Sequence, residues 1–294
     1  MDLDLRKIRY FMAVAGELNF GRAAQELHIA QPVLSRQIRA LEAELGVQLF
    51  VRDRRRTELT PAGEALYADA GPVLAGAEAL RRRVVRASRG TDVFTVGFMP
   101  GLIVTGAVRA LTAAHPQLRV EVLRTSWADQ VEVVLDGRAD VSFVRLPVDQ
   151  RGLKVTTLFE EPRVVVLPSG HRLASKDEIH LDDLAGETLL QPHKAVPEWQ
   201  ALTGDTAPRD EGGPAPLAVE EKLEHVASGS GIVILPASTA GFYQRPDVVT
   251  VSIADLGPTR VALAWDATRR SRLISEFAAL AAIHLRGPGP AHHV

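Results

Sequence analysis

Apolar residues recur along this chain with two different periods, and the change from one to the other divides it. Leu34, Ile38, Leu41 and Leu45 follow at spacings of four, three and four, which sets them on one stripe of an amphipathic helix. From Ala23 a short helix and a tight turn precede that helix, and an arginine-rich wing follows it before Gly63. Thr60 then Pro61 is a helix start, a cap followed by the position where proline fits. Beyond it Leu66, Ala70, Val73, Ala77, Leu80 and Val84 alternate spacings of four and three, the seam of a two-helix coiled coil. A helix over residues 61–88 is about 42 Å long. Gly71 and Pro72 interrupt it, and an internal proline removes a hydrogen bond, so a bend near Ala68 is expected.

After residue 92 short apolar runs alternate with helical stretches. Strands are predicted at Phe94 to Phe98, Arg119 to Leu123 and Val141 to Val144, with helices at Ile103 to Ala114 and Asp129 to Leu135. That order is α/β, with parallel strands and right-handed crossovers. A second unit opens on the strand Arg163 to Leu167. It includes the helix Leu217 to Ser228 and strands at Ile232 to Leu235 and Val248 to Val251. The chain then returns through Arg260 to Trp265 into the helix Ser271 to Leu285, so two lobes are crossed twice.

Gln31, Pro32, Ser35, Arg36 and Arg39 fall away from the buried stripe of the helix that holds Leu34. A run of polar residues there can simply solvate an exposed face. The wing shifts the balance, because Arg52, Arg54, Arg55 and Arg56 stand beside the helix end, where phosphates or a minor groove would lie. A helix in the major groove needs hydrogen-bonding side chains near its start, and Gln31, Ser35 and Arg36 supply them.

The run NFGRAAQELHIAQPVLSRQIRALEAELGVQLFVR, with IRYFMAV before it and LTPAG after it, resembles the winged helix-turn-helix of the LysR-type transcriptional regulators. The resemblance implies that Gln31, Pro32, Ser35 and Arg36 form the DNA-contacting helix and that Arg52 with Arg54 forms the wing, to which the exposed face and the arginine run add Arg39 and Arg55. Gly21 stands where the family commonly has a Ser or Thr cap. Ala30 is a poor cap, so the reading helix relies on Pro32 in its first turn. The implied organisation is a DNA-binding domain (1–60), a linker and dimerisation helix (61–92), a bilobal effector-binding domain like that of solute-binding proteins (93–286), and a flexible tail (287–294). Its first lobe takes residues 93–162 and 266–286, and its second 163–265. Leu66, Val73, Ala77 and Leu80 are the implied dimer contacts. Double-stranded DNA, a second copy extending to a homotetramer, a small-molecule effector and RNA polymerase are the implied partners.

Composition narrows this further. Length favours about two domains, and 46% hydrophobic content is enough for ordinary cores. Residues 1–92 carry 15 basic against 12 acidic side chains, while 93–294 carry 19 against 24, as suits a protein that meets DNA at one end. The absence of cysteine excludes disulfides, thiolate nucleophiles and thiol redox switching. No basic leader or long apolar run occurs, so a soluble, cytoplasmic protein without a membrane partner is expected. Nine scattered histidines lack ligand spacing, and neither a G-x-S-x-G elbow nor an H-E-x-x-H motif is present. The rivals, an enzyme or a solute-binding protein on the bilobal scaffold, thus lack a catalytic constellation and a signal peptide respectively. No metal or cofactor is expected.

In open α/β sheets a ligand sits at the carboxyl ends of strands. Here those ends carry Met99, Pro100 and Gly101, then Ser126 and Trp127, then Arg145, with Lys194 to Pro197, including Val196, from the facing lobe. Trp127 is either a stacking wall or core. Strand alternation puts Arg145 on the face of Phe143 and carries its guanidinium toward the interlobe space, where a charge needs a partner. That partner is either a structural carboxylate such as Asp149 or a carboxylate-bearing effector, with Ser126 and the amides after Met99 completing the site.

Overall fold

The computed structural model describes residues 3–52, 57–88, 92–192, 195–203 and 218–285. Arg54, Arg55, Lys194, Leu217 and the tail 287–294 lie outside them. The chain divides into two units, one formed by residues 1–90 with 135–138 and the other by the rest.

In the N-terminal unit the helix α1 (Leu5–Glu17) is capped by Asp4, whose carboxylate accepts from the Arg6 amide at 2.8 Å. The next helix, α2 (Phe20–Glu26), is capped by Asn19, which accepts from the Gly21 and Arg22 amides. Gly21 is therefore inside the helix and is not its cap, because the carboxamide two residues earlier already satisfies the first free amides. The third helix, α3 (Gln31–Leu45), buries Leu34, Ile38 and Leu41 completely and stops at Gly46, whose φ of 70° suits glycine. Ala30 makes no side-chain cap and Pro32 occupies the first turn.

Two short strands, β1 (Phe50–Arg52) and β2 (Thr57–Leu59), pair antiparallel with Phe50 opposite Leu59. Phe50 packs its ring 5.3 Å from Phe11 and 5.6 Å from Phe20, which anchors the wing in the core of the three helices. The long helix α4 (Pro61–Ser88) begins at Thr60, whose hydroxyl oxygen accepts from the Gly63 amide at 3.0 Å. A Cβ at Gly63 would stand 2.2 Å from the Leu49 carbonyl oxygen, so only glycine lets α4 approach the wing this closely. The helix runs unbroken through Pro72, as the ladder loses only the amide that proline lacks.

The larger unit holds, in chain order, β3 (Val93–Phe98), α5 (Thr105–Ala114), β4 (Arg119–Arg124), α6 (Glu132–Leu135), β5 (Val141–Leu146), β6 (Leu153–Glu161), β7 (Arg163–Pro168) and β8 (Glu178–Ile179). A 3-10 turn (Leu181–Leu184) follows, then α7 (Pro197–Thr203), α8 (Val219–Ala227), β9 (Val233–Pro236), α9 (Ala237–Phe242), β10 (Val248–Ile253), β11 (Thr259–Asp266) and α10 (Arg272–His284). One five-stranded sheet has the order β4-β3-β5-β11-β6 and one four-stranded sheet the order β8-β10-β7-β9. Each sheet has its own apolar core, around Phe143 and Phe277 in the first and around Leu167 and Leu184 in the second.

Parallel pairing holds for β3 with β4 and β5, but β11 runs antiparallel to both of its neighbours. Returning from the second lobe, it enters the sheet from the opposite end, so the sheet is mixed. The return strand also belongs to the first lobe, which moves the second crossing ahead of Thr259 from the expected residue 266. β6, the nine-residue edge strand that β11 pairs with, is an element the apolar pattern does not mark.

Candidate functional site

The N-terminal unit presents one polar face. Gln31, Pro32, Arg36 and Arg39 are exposed on α3 and Ser35 is half-buried, while Leu34, Ile38 and Leu41 hold the opposite face in the core. Arg36 and Arg39 make no ion pair among the described residues, so both guanidiniums are available to an outside anion. Arg52 closes β1; the wing tip with Arg54 and Arg55 lies outside the described residues.

Glu42, which the sequence reading did not single out, joins α3 to the wing. Its carboxylate on α3 accepts from the Leu49 amide at 3.0 Å and the Phe50 amide at 3.3 Å, which ties α3 to the first strand of the wing. Charge-assisted bonds to backbone amides are among the stronger hydrogen bonds, so they fasten α3 to the start of β1. Val33, also not singled out, is exposed on the first turn of α3. Amphipathic periodicity finds buried stripes, and neither residue belongs to one.

The C-terminal half of the α4 seam is open. Val73 is 51% exposed, Leu80 58% and Val84 62%. Leu66, one of the expected dimer contacts, packs half-buried against the core of the N-terminal unit, and Ala70 is buried. Ala77 is half-buried.

In the larger unit the proposed cleft residues separate. Arg145 is only 2% exposed, and each of its three guanidinium nitrogens is hydrogen-bonded. It donates to Glu161 Oε1 at 3.3 Å, to the Pro100 carbonyl at 3.2 Å, to Ser238 Oγ at 3.0 Å and to Thr239 Oγ1 at 3.1 Å. Burial presses the Arg145 pKa down and the Glu161 carboxylate opposes that. Glu161, itself fully buried, also accepts from the Ser238 amide at 3.0 Å. The structural carboxylate that meets Arg145 is Glu161 and not Asp149, which bonds Arg151 at 2.7 Å. Because Pro100, Arg145 and Glu161 come from the first lobe and Ser238 and Thr239 from α9, the network fastens the lobes together. Gly101, at φ 83°, completes it: a Cβ there would lie 2.4 Å from Thr239 Cα.

Val196 is corrected as well. It is fully buried in the second-lobe core with Trp199 and Leu184, where an apolar side chain gains more than it would at a wet cleft. Ser126 donates through both its amide and its hydroxyl to Asp129 Oδ1, each at 2.7 Å, and Trp127 packs half-buried against the first core. Met99 is buried there too. A cavity of about 510 Å³ opens instead beside Pro100 and Gly101, walled by Leu102, Ile103 and Val108 from the first lobe and by Phe242 and Tyr243 from the second. Arg124 and Glu220 bridge it at 3.1 Å, and the Tyr243 hydroxyl donates to Glu220 at 3.1 Å. Its own backbone amide, Tyr243 and Arg124 hold the Glu220 pKa low, and burial followed by Glu220 raises that of Tyr243.

Among the described residues no group of acids and histidines is placed to hold a metal ion, and no helix is long and apolar enough to cross a membrane.

Comparison with known proteins accords with this division. Residues 5–64 match the family described as bacterial regulatory helix-turn-helix protein, lysR family, and residues 90–286 match the LysR substrate binding domain. The chain is 40% identical to the Hca operon transcriptional activator HcaR of Escherichia coli over 187 residues, 63% of each chain. It is 34% identical to the transcriptional regulator BenM of Acinetobacter baylyi over 249 residues, 81% of each. Full-length CbnR complexed with its target DNA is similar in structure, with a TM-score of 0.55 at 25% identity over 96% of this chain and 100% of that one.

Proposed function

This chain belongs to the LysR family of DNA-binding transcriptional regulators, and we propose that it reads its site as a dimer through the exposed face of α3 and the wing. The observation that carries this is the junction of Glu42 with the Leu49 and Phe50 amides, which holds α3 and the wing as one element with Gln31, Arg36 and Arg39 outward. Arg36 is assigned to a base edge, Arg39 with Arg52, Arg54 and Arg55 to phosphates, and Gln31, Pro32 and Ser35 to the groove entry. The relatives are named transcriptional regulators, so the enzyme and solute-binding alternatives fall away.

Dimerisation is assigned to the open half of the seam, Val73, Ala77, Leu80 and Val84, since a 28-residue helix with such a stripe needs a partner to cover it. A small-molecule effector acting on the two lobes is the regulatory part of the proposal. Such a ligand works by binding one interlobe arrangement better than another, and the apolar cavity beside Gly101 touches both lobes. The burial of Arg145 and its pairing with Glu161 favour this cavity over Arg145 as the place of the ligand. That HcaR is named an activator favours RNA polymerase as a further partner.

Selection of bound fragments from random DNA tests the reading. The expected product is an interrupted palindrome with half-sites about 34 Å or a multiple apart. Enrichment of a single unrepeated site would contradict the dimer, and no enrichment would contradict sequence reading altogether.

A further inference from the structure

We propose that Val33 reads the C5 methyl group of a thymine in the major groove, an inference that rests on α3 being the reading helix. Val33 is 42% exposed and joins no apolar cluster among the described residues. An exposed valine on its own needs no explanation. Its place supplies one, because Val33 stands in the first turn of α3, beside Pro32 and one turn before Arg36 and Gln37. In a helix-turn-helix that first turn enters the groove deepest.

Neither packing nor local propensity accounts for the residue. A β-branched side chain at an exposed helical position is a poorer choice than alanine or a long polar residue. It interrupts an otherwise polar face and, together with Pro32, forms an apolar step between Gln31 and Arg36. The base edges of the major groove display hydrogen-bonding groups in every pair and one apolar group, the thymine methyl. An isopropyl group pressed on that methyl removes both from water. Against cytosine the same group would bury an amino donor without an acceptor, which disfavours the wrong base. Contacts from Gln31 and Arg36 would then define polar positions of the half-site, and Val33 a neighbouring thymine that hydrogen bonding alone would specify less well.

The test uses the full-length protein and its site selected from random DNA. Each thymine of one half-site is replaced in turn by deoxyuridine, which removes only the methyl, and binding is measured by fluorescence anisotropy. At one thymine the parent protein is expected to lose about fourfold in affinity, equivalent to about 0.8 kcal/mol for one methyl group. Val33→Ala should bind the thymine site about fourfold more weakly and show no further loss with uracil at that position. Alanine is the better helix former, so the variant keeps α3, as circular dichroism would verify. The proposal is overturned if no uracil substitution weakens the parent, or if each weakens parent and variant by the same factor. A random pool from which nothing is enriched overturns the DNA reading itself, and the role of Val33 with it.

Discussion

Arg145 and Glu161 meet at 3.3 Å with neither side chain open to solvent, and together they bind the start of α9 to the loop after β3. A buried pair is costly to break from one side, because the remaining charge stays without its partner. Arg145→Ala or Glu161→Ala is expected to destabilise the larger unit by about 3 kcal/mol or more. Replacing both with apolar residues of similar volume should cost much less. Urea denaturation of the four proteins measures this, and additive losses would deny the pairing.

Arg163 holds Glu198 with two bonds, at 2.5 and 3.2 Å, and hydrogen bonding by Arg163 lowers the Glu198 pKa below its ordinary value. A carboxylate whose folded pKa is depressed adds stability that is full above its unfolded pKa, about 4.3, and is lost as pH falls through the folded value. Glu198 is partly exposed, so the gain is below about 1 kcal/mol after screening. The stability difference between the parent and Glu198→Gln should therefore stay level at neutral pH and shrink in acid. A difference that grows in acid would reverse the sign.

The wing depends on Glu42 and Gly63, which hold it from α3 and α4. Gly63→Ala would force a Cβ against the Leu49 carbonyl, and Glu42→Ala would release the Leu49 and Phe50 amides. Both are expected to lower DNA affinity about tenfold through lost positioning. Gel-shift titration reads the loss, and Glu42→Gln, which keeps an acceptor, should recover part of it. Parental binding by Glu42→Ala would separate helix and wing.

The two halves of the α4 seam should respond differently. Leu80→Glu puts a charge on the open half and is expected to yield monomers in sedimentation, with the N-terminal unit still folded. Leu66→Glu should unfold that unit, since Leu66 packs against its core. A Leu80→Glu dimer would move the contact off α4.

The sequence reading succeeded where a local rule governs and failed where distant residues decide. Leu34, Ile38 and Leu41 announce α3 through spacing alone, and Thr60 with Pro61 announces α4. β6 escaped because LKVTTLFEE is an edge strand with few buried positions, set in place by its pairing with β11 about a hundred residues later. α6 shrinks to Glu132–Leu135 because Asp129 caps the Ser126 turn instead of starting a longer helix. The need of Arg145 for a partner was legible, but its identity was not. Glu161 comes from the far end of β6 and α9 from beyond position 236, and only the fold brings them together. Sequence alone places Val196 at the cleft for the same reason, since nothing local shows that it packs inward with Trp199 and Leu184.

Arg36 gives the most direct test of DNA reading by α3. Affinity of the parent and of Arg36→Ala for the selected site and for a scrambled duplex should be measured over a series of salt concentrations. Loss of a base contact is expected to cut the ratio of specific to non-specific binding by about 10- to 100-fold while leaving the salt slope nearly unchanged. An unchanged ratio in Arg36→Ala would contradict the assignment of α3 as the element that reads the bases.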